Sequence, residues 1–265
     1  MAAAADYVSG SGSVLSGLSG LSGIEYSRAL FVDNDGTQVR LVKESLPRIN
    51  TIRIPESESL KPTPMSEIQR SFDIPDTNKY LERAYRIRTK PSHLLDPVSG
   101  IQDKHIALID AWFASSRGPN ALLMDWDRTL SMFEGYYGDD EGDIIGDRAA
   151  YYEDVLVFLF GGAKRLAAIR DMIARAHARR VDVYIVTNNG GCDEPGSGFN
   201  HFVAQLFHPI GVPYKLICGR YFGGHKGKAL ESDPRFALLK LPLSGGARTK
   251  RRRQKSRRRM THRRK

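Results

Sequence analysis

The feature that most restricts the fold of this chain is a β-branched strand that directly follows an amphipathic helix. The strand is Val181–Thr187, with the sequence VDVYIVT, and its length and composition are typical of a buried strand. The helix is predicted over Ala163–Ala178, where one face carries the apolar side chains of Leu166, Ile169, Met172 and Ile173. A helix that leads straight into a buried strand is typical of a sheet with parallel strands.

The same alternation continues on both sides of this pair. Upstream, residues 121–125 (ALLMD) predict a short buried strand that ends on an acid. Downstream, we expect a short helix over residues 200–207, a strand over Tyr214–Cys218 and a helix from Lys226 onward. The alternation predicts an α/β domain over residues 120–243, built on a parallel sheet flanked by helices. In such sheets, functional groups collect at the carboxyl ends of the strands.

Residues 24–119 carry a less regular pattern. Short strands are predicted at residues 29–32, 37–42 and 50–54, and helices at residues 78–88 and 103–115, with several prolines between them. We interpret this stretch as an N-terminal α+β extension or a small module of its own. Residues 1–23 are rich in Gly and Ser, include LSG three times in tandem, and predict a flexible arm.

The positive charge of the chain is concentrated at one end. The net charge is +10, but residues 248–265 hold twelve of the forty Lys and Arg residues and no acid. Without them, 28 basic residues face 30 acidic ones, which leaves a net charge of −2. We therefore predict a disordered basic tail over residues 244–265 that binds nucleic acid or another polyanion, or directs nuclear import. The alternative is a tail that only improves solubility.

Several classes of protein are disfavoured by the composition. The longest clean apolar run, residues 155–160, is far shorter than the ~20 residues of a membrane-spanning helix, and no secretory signal is visible at the start. The two cysteines, Cys192 and Cys218, cannot build a disulfide framework or a four-cysteine zinc site. We expect an intracellular protein, cytoplasmic or nuclear, that is not secreted and has no membrane partner.

Two carboxylates follow the first strand of the predicted domain. Asp125 and Asp127, in the sequence DWDRT, are two residues apart just beyond the strand end. Such a pair suits Mg²⁺, which needs only one or two carboxylates together with water and a substrate phosphate. One carboxylate can also attack phosphorus while the other moves a proton. The alternative is a capped turn with two solvated acids.

Two later motifs accompany this pair. A strand ends in Thr187 and Asn188 about sixty residues on, and Lys226 opens a helix with the sequence KGKAL beyond the third strand. Together these features resemble the haloacid dehalogenase (HAD) superfamily of phosphotransferases, whose first motif is a strand followed by D-x-D-x-T. Its second motif is a strand that ends in Thr or Ser, and its third is a Lys at a helix start. The resemblance covers roughly residues 120–240 and implies a HAD-like, Rossmannoid fold.

The resemblance also implies a role for each matching residue. Asp125 would be the nucleophile that forms an aspartyl-phosphate, and Asp127 the general acid and then the base. Thr187 and Asn188 would bind the phosphoryl group, and Lys226 would offset negative charge during the transfer. Mg²⁺ would be bound by the Asp125 carboxylate and the Asp127 backbone carbonyl. Phosphoryl transfer rewards such positioning and charge stabilisation.

The chain departs from the family pattern at two places. The residue after the second Asp is usually Gly, and here it is Arg128. The fourth motif, an acidic pair or G-D-x-x-x-D on a further strand, is not visible after Lys226, where only Glu231 and Asp233 are available. Either one of these two acids supplies the last metal ligand from an unusual place, or the magnesium site is incomplete.

Other acidic and histidine residues give weaker signals. Residues 33–37 (DNDGT) copy the first motif more closely, but D-N-D-G is also turn chemistry, and we predict a hairpin turn there. The acidic loop at residues 139–143 is interpreted as solvated rather than metal-binding. The seven histidines show no ligand spacing, so we assign none of them to a metal.

Two functions follow from these features. The first is a Mg²⁺-dependent phosphatase of the HAD type that acts on a bulky or macromolecular phosphorylated substrate. The second is a catalytically weak or inactive HAD-like scaffold that binds nucleic acid through the basic tail. The DWDRT motif together with an Arg-rich terminus also resembles proteins of large DNA viruses of eukaryotes.

Overall fold

The computed structural model describes residues 24–55, 100–115, 117–132, 148–194 and 196–242. Within them, five strands form one parallel sheet in the order β2-β1-β3-β4-β5. The strands are β1 (Arg28–Asp33), β2 (Asn50–Arg53), β3 (Asn120–Met124), β4 (Val181–Thr187) and β5 (Tyr214–Cys218). The helices are α1 (Gly36–Ser45), α2 (Asp103–Ala114), α3 (Arg148–Leu159), α4 (Ala163–Ala178), α5 (Gly198–Phe207) and α6 (Lys226–Ser232). Short 3₁₀ turns lie at His208–Ile210, Gly219–Phe222 and Pro234–Lys240.

Helices cover both faces of the sheet, as a doubly wound α/β fold requires. On one face, Leu122 and Met124 of β3 pack in a cluster with side chains of α2, α3, α4 and α5. On the other face, Ala121 and Leu123 share a cluster with side chains of α1 and α6. Every residue of β3 is buried, because a central parallel strand is enclosed from both sides. The arrangement is Rossmann-like.

The prediction of an α/β fold with a parallel sheet is confirmed. The predicted bounds of the helix Ala163–Ala178 and of the strands Val181–Thr187 and Tyr214–Cys218 agree with the structure residue for residue. The helix expected at residues 103–115 is α2, and the strand expected at residues 50–54 is β2. The helix expected at residues 78–88 lies outside the described residues.

The prediction of a strand at residues 37–42 is wrong, because this stretch belongs to α1. The side chain of Asp35 accepts a hydrogen bond from the Thr37 amide and caps the helix start. The helix then buries Val42 against the sheet. The choice of a helix over a strand therefore depends on packing between residues far apart in the chain. The local alternation of apolar residues does not show that packing.

The interpretation of residues 24–119 as an extension or separate module also needs correction. Strand β1 pairs with β3 over five residues, and β2 pairs with β1 on its outer side. Strands β1 and β2 are therefore part of the main sheet, and α1 packs on it. The two ends of the described chain also meet, since Tyr26 N–H donates to Arg235 O at 2.8 Å and Arg48 N–H donates to Leu239 O at 3.1 Å.

In the parts of the chain that the structure describes, no helix is both long enough and apolar enough to span a membrane.

Candidate functional site

Three charged side chains meet at the carboxyl edge of the sheet. Asp33 is the last residue of β1, Asp125 follows β3 directly, and Lys226 is the first residue of α6. The Lys226 ammonium donates to Asp33 Oδ2 at 2.8 Å and pairs with Asp125 Oδ1 at 2.6 Å. All three residues are buried, with relative exposures of 0%, 4% and 4%. One ammonium group is thus shared by two carboxylates from neighbouring parallel strands.

Burial and like charge raise the pKa of both carboxyl groups. Desolvation is the main cause for Asp33, and the nearby Asp125 carboxylate adds to it. Desolvation also dominates for Asp125, where Lys226 opposes the rise and Asp127 adds to it. Burial alone would lower the pKa of Lys226, but the two carboxylates outweigh this and raise it. When all three groups are ionised, the cluster carries one uncompensated negative charge.

A buried threonine joins the two loops that carry the aspartates. Thr129 Oγ1 accepts a hydrogen bond from the Asn34 backbone N–H at 3.0 Å. The same hydroxyl lies 3.2 Å from Asn34 Oδ1 and 3.4 Å from Asp125 Oδ2, and it can donate to one of them. Thr129 is the last residue of the D-x-D-x-T pattern. Its role in the structure is to fix the loop after β3 against the loop after β1.

The turn after β3 has a backbone conformation that favours Gly at the position of Arg128. Residues Trp126–Leu130 form a wide turn in which Arg128 has a φ of 56° and a ψ of 7°. This left-handed conformation is one that Gly adopts freely and that a residue with a Cβ adopts only at a cost. The position therefore suits the Gly that is usual there, and Arg128 tolerates the same backbone. Asp127, just before it, is half-buried.

The structure places Thr187 and Asn188 at the same edge of the sheet, with different surroundings. Thr187 is fully buried at the end of β4, the strand that pairs with β3, and its Oγ1 accepts the Asn189 N–H at 3.1 Å. Asn188 is exposed, and its Nδ2 donates to Gly224 O at 3.0 Å. Thr187 therefore ends the strand beside the one that leads to Asp125. The amide of Asn188 instead ties this loop to the segment before Lys226.

A close approach of two helices sets the position of Lys226. A Cβ atom at Gly227 would lie 2.7 Å from the Leu41 carbonyl oxygen of α1 and 2.9 Å from Ser45 Oγ. Only a residue without a side chain allows α6 to lie this near to the α1 backbone. The Gly of the KGKAL sequence therefore has a packing reason, and it immediately follows the lysine of the site.

Asp33 belongs to this buried cluster, although the sequence pattern predicts only a turn there. Residues 33–37 do not form a hairpin turn, because Asp33 ends a parallel strand and Asp35 caps α1. One signal was available: residues 29–33 (ALFVD) repeat the pattern of residues 121–125 (ALLMD), an apolar strand that ends on Asp.

The two acids considered as the last metal ligand lie in other surroundings. Glu231 is exposed on α6. The carboxylate of Asp233 is held by the Arg235 guanidinium at 2.5–3.1 Å and caps the turn that follows. The acid that shares Lys226 with Asp125 is instead Asp33.

The described ranges contain no group of three or more His, Cys, Asp and Glu residues arranged to hold a metal ion. Mg²⁺ does not require such a group, because water and substrate phosphate complete its octahedron. The acidic loop at residues 139–143 lies outside the described residues.

A disulfide bond joins the loops beside the site. Cys192 and Cys218 are bonded, with their Cα atoms 6.0 Å apart. Cys192 lies in the loop that follows Asn188, and Cys218 ends β5. The bond ties the loop that follows β4 to the carboxyl end of β5.

Comparisons with protein-family models, with curated proteins and with solved structures find no match to this chain.

Proposed function

We propose that this chain is a phosphatase with a HAD-like site that hydrolyses phosphate esters through an aspartyl-phosphate. The observation that carries the proposal is the Lys226 ammonium, which is shared between Asp33 and Asp125 at the carboxyl ends of adjacent parallel strands. A buried lysine flanked by two acids at this edge of an α/β sheet is suited to stabilise charge on a phosphoryl group. A purely structural ion pair gains little from burial, because the desolvation cost is large.

The proposed reaction uses the chain's own residues in two steps. Asp125 attacks phosphorus, a new O–P bond forms, and the bond from phosphorus to the ester oxygen breaks while Asp127 protonates the leaving alkoxide. Asp127 then takes a proton from water, which attacks the aspartyl-phosphate and releases inorganic phosphate. Lys226 stabilises the charge on the nucleophile and the transferred group, and Thr187 offers a hydroxyl to the phosphoryl oxygens.

Asp33 supplies the acid that the family pattern expects after the lysine. The resemblance orders the motifs as nucleophile, threonine, lysine and acid. In this chain the acid comes first, on β1, and the other three follow. The motif order is therefore a circular permutation of the expected one. The contact between the ends of the described chain, at Tyr26 and Arg235, is what such a permutation requires.

The residues present fit a magnesium ion by their chemistry. Lys226 takes one oxygen of each carboxylate, and the ionised cluster keeps one negative charge in excess. Asp33, Asp125 and the Asp127 backbone carbonyl would hold the ion. When bound, Mg²⁺ would neutralise charge on the carboxylates and on the substrate phosphate.

We further propose that the substrate is bulky or macromolecular. About fifty residues separate the first two motifs, and α3 and α4 account for 12 and 16 of them. Helix α4 packs on β4, and the buried side chains of α3 lie in the same apolar cluster, so both belong to the layer on this face of the sheet and not to a cap over the site. The basic residues of the segment 248–265 would raise the local concentration of a polyanionic partner such as nucleic acid.

The test is hydrolysis of a generic aryl phosphate by the full-length protein, with and without Mg²⁺. We expect metal-dependent turnover that Asp125→Asn abolishes while the fold survives, because the covalent route requires the carboxylate. Asp171→Asn, at an exposed position of α4, is the matched control and should keep full activity. The same assay with 5′- or 3′-phosphorylated oligonucleotides tests the substrate class.

The alternative function is a HAD-like scaffold that binds nucleic acid through residues 248–265. It is favoured by the density of Lys and Arg in that segment. Turnover absent with every metal and phosphate ester, together with salt-sensitive nucleic-acid binding, would establish this alternative.

A further inference from the structure

We infer that Gln38 is a positioning residue that holds Lys226 between Asp33 and Asp125. Gln38 lies in the first turns of α1, the helix that follows Asp33, and its side chain bonds the backbone of Gly224 and Lys226. Its expected effect on catalysis rests on the proposed phosphatase function. Its effect on the lysine does not.

The Gln38 side-chain amide bonds both sides of His225, the residue before the lysine. Its Nε2 donates to the Gly224 carbonyl at 2.9 Å, and its Oε1 accepts the Lys226 backbone N–H at 3.2 Å. The Lys226 N–H is one of the helix-start donors that have no partner within the helix. The glutamine therefore acts as a cap supplied from another helix, and it fixes the backbone of the lysine directly.

The same carbonyl connects a third element to this contact. Gly224 O also accepts the Asn188 Nδ2 at 3.0 Å, from the loop after β4. Gln38 and Asn188 thus hold one peptide from two sides, so the segment before Lys226 is tied both to the Asp33 side and to the Thr187 side of the site. The close contact of Gly227 with the Leu41 carbonyl fixes the next residue as well.

A lysine depends on such support more than a shorter side chain does. Four rotatable bonds separate its backbone from the ammonium, and the ammonium must satisfy two carboxylates at 2.8 Å and 2.6 Å at once. A displacement of about 1 Å at a reacting group can cost on the order of 10²-fold in rate. Loss of the Gln38 bonds should therefore lower kcat and leave substrate affinity nearly unchanged.

The experiment compares three variants of the full-length protein. Gln38→Met keeps the size and loses both hydrogen bonds, and we expect a fall in kcat of roughly 10- to 100-fold, with KM changed by less than about twofold. Gln38→Glu keeps the acceptor for the Lys226 N–H and should retain more activity than Gln38→Met. Arg40→Met is the matched control, because Arg40 lies on the exposed side of α1 in a solvent-accessible pair with Glu44.

A spectroscopic measurement tests the same inference without turnover. A buried, bonded ammonium exchanges its protons slowly, so Lys226 should give a protected side-chain signal in ¹H–¹⁵N spectra, assigned by its loss in Lys226→Met. This signal should shift or broaden in Gln38→Met and stay unchanged in Arg40→Met. Absence of activity in the wild-type protein would reject the phosphatase and leave this test intact.

Two results would overturn the inference. One is a wild-type kcat in Gln38→Met, and the other is an unchanged Lys226 signal in that variant. If circular dichroism shows that Gln38→Met does not fold, Gln38→Asn is judged by the same two criteria, because its shorter amide cannot reach both backbone groups.

Discussion

Asp33 and Asp125 occupy equivalent positions on neighbouring strands and bond the same ammonium group. Val32 pairs with Met124 in the register of β1 and β3, and the Asp125 N–H donates to Val32 O at 2.9 Å. The residue that follows each member of this pair is therefore an aspartate, and both carboxylates meet Lys226. Two strands that are distant in sequence together create one buried cluster with an excess of negative charge.

Because of this excess of negative charge, Asp33→Asn should lower activity and raise stability. Asparagine can still accept a bond from Lys226, and the remaining Asp125–Lys226 pair is neutral. We expect loss of metal-dependent hydrolysis, because the substitution removes a carboxylate from the proposed magnesium site. We also expect a gain in the free energy of unfolding at pH 8, on the order of 1 kcal/mol, because a buried like charge is removed.

The direction in which stability changes with pH follows from the raised pKa of Asp33. Between the unfolded value of ~3.9 and the raised folded value, the folded protein keeps a proton that the unfolded chain has released. Wild-type stability therefore falls as pH rises through this window, and this contribution is missing in Asp33→Asn. Urea denaturation at pH 5 and pH 8 checks this. A variant less stable than the wild type at pH 8 would contradict it.

Gly227→Ala should destabilise the protein although the position is helical. Alanine at a helical Gly normally gains ~1 kcal/mol. Here its Cβ would lie 2.7 Å from the Leu41 carbonyl oxygen, so α6 must move. We expect a loss of about 1–3 kcal/mol and a lower kcat, since Lys226 moves with the helix.

Gly190→Ala is the matched control for this substitution. Its added Cβ would meet only Arg220 Nη1, at an ordinary 3.5 Å, and the backbone there needs no positive φ. Its stability should stay within about 0.5 kcal/mol of the wild type. Equal melting behaviour of the two alanine variants would show that the contact between α1 and α6 does not limit stability.

Arg128 and Arg180 both have a positive φ, but substitution by glycine should change the free energy of unfolding by different amounts at the two positions. Arg180 follows α4 with a φ of 59° at an exposed position, where Gly is the common helix terminator. Arg180→Gly should raise the free energy of unfolding by about 0.5–1 kcal/mol. Arg128→Gly relieves the same backbone cost but also removes a half-buried side chain beside the site, so its gain should be smaller. Chemical denaturation of both variants measures the difference.

The sequence predicted those parts of the fold whose signals are local. A β-branched strand and an amphipathic helix can each be recognised from a short stretch of sequence. The predicted bounds of Val181–Thr187 and Ala163–Ala178 therefore agree with the structure to the residue. The prediction for residues 37–42 is wrong because the apolar residues of V-R-L-V fit the period of a strand as well as that of a helix. The choice of a helix depends on the Asp35 cap and on packing against the sheet.

The site was predicted in part for the same reason. Asp125, Thr187 and Lys226 each follow or begin a recognisable element. Asp33 follows one too, but its contribution depends on β1 pairing with β3, a contact between residues far apart in the chain. The role of Gln38 depends on a contact with Lys226 across 188 positions, and no local pattern marks it.

Nucleic-acid binding and phosphate-ester hydrolysis should depend on different parts of the chain. Residues 248–265 contain twelve Lys and Arg residues, whereas Asp33, Asp125 and Lys226 all lie upstream. We expect the full-length protein to bind DNA or RNA without sequence preference, because phosphate contacts carry no base information. The logarithm of the binding constant should fall with the logarithm of salt concentration, with a slope of about −0.9 per phosphate neutralised on duplex DNA. A protein that ends at Gly246 should lose this binding and keep its hydrolysis of a small aryl phosphate. If the shortened protein binds duplex DNA with the same salt slope, the binding surface lies on the folded domain instead.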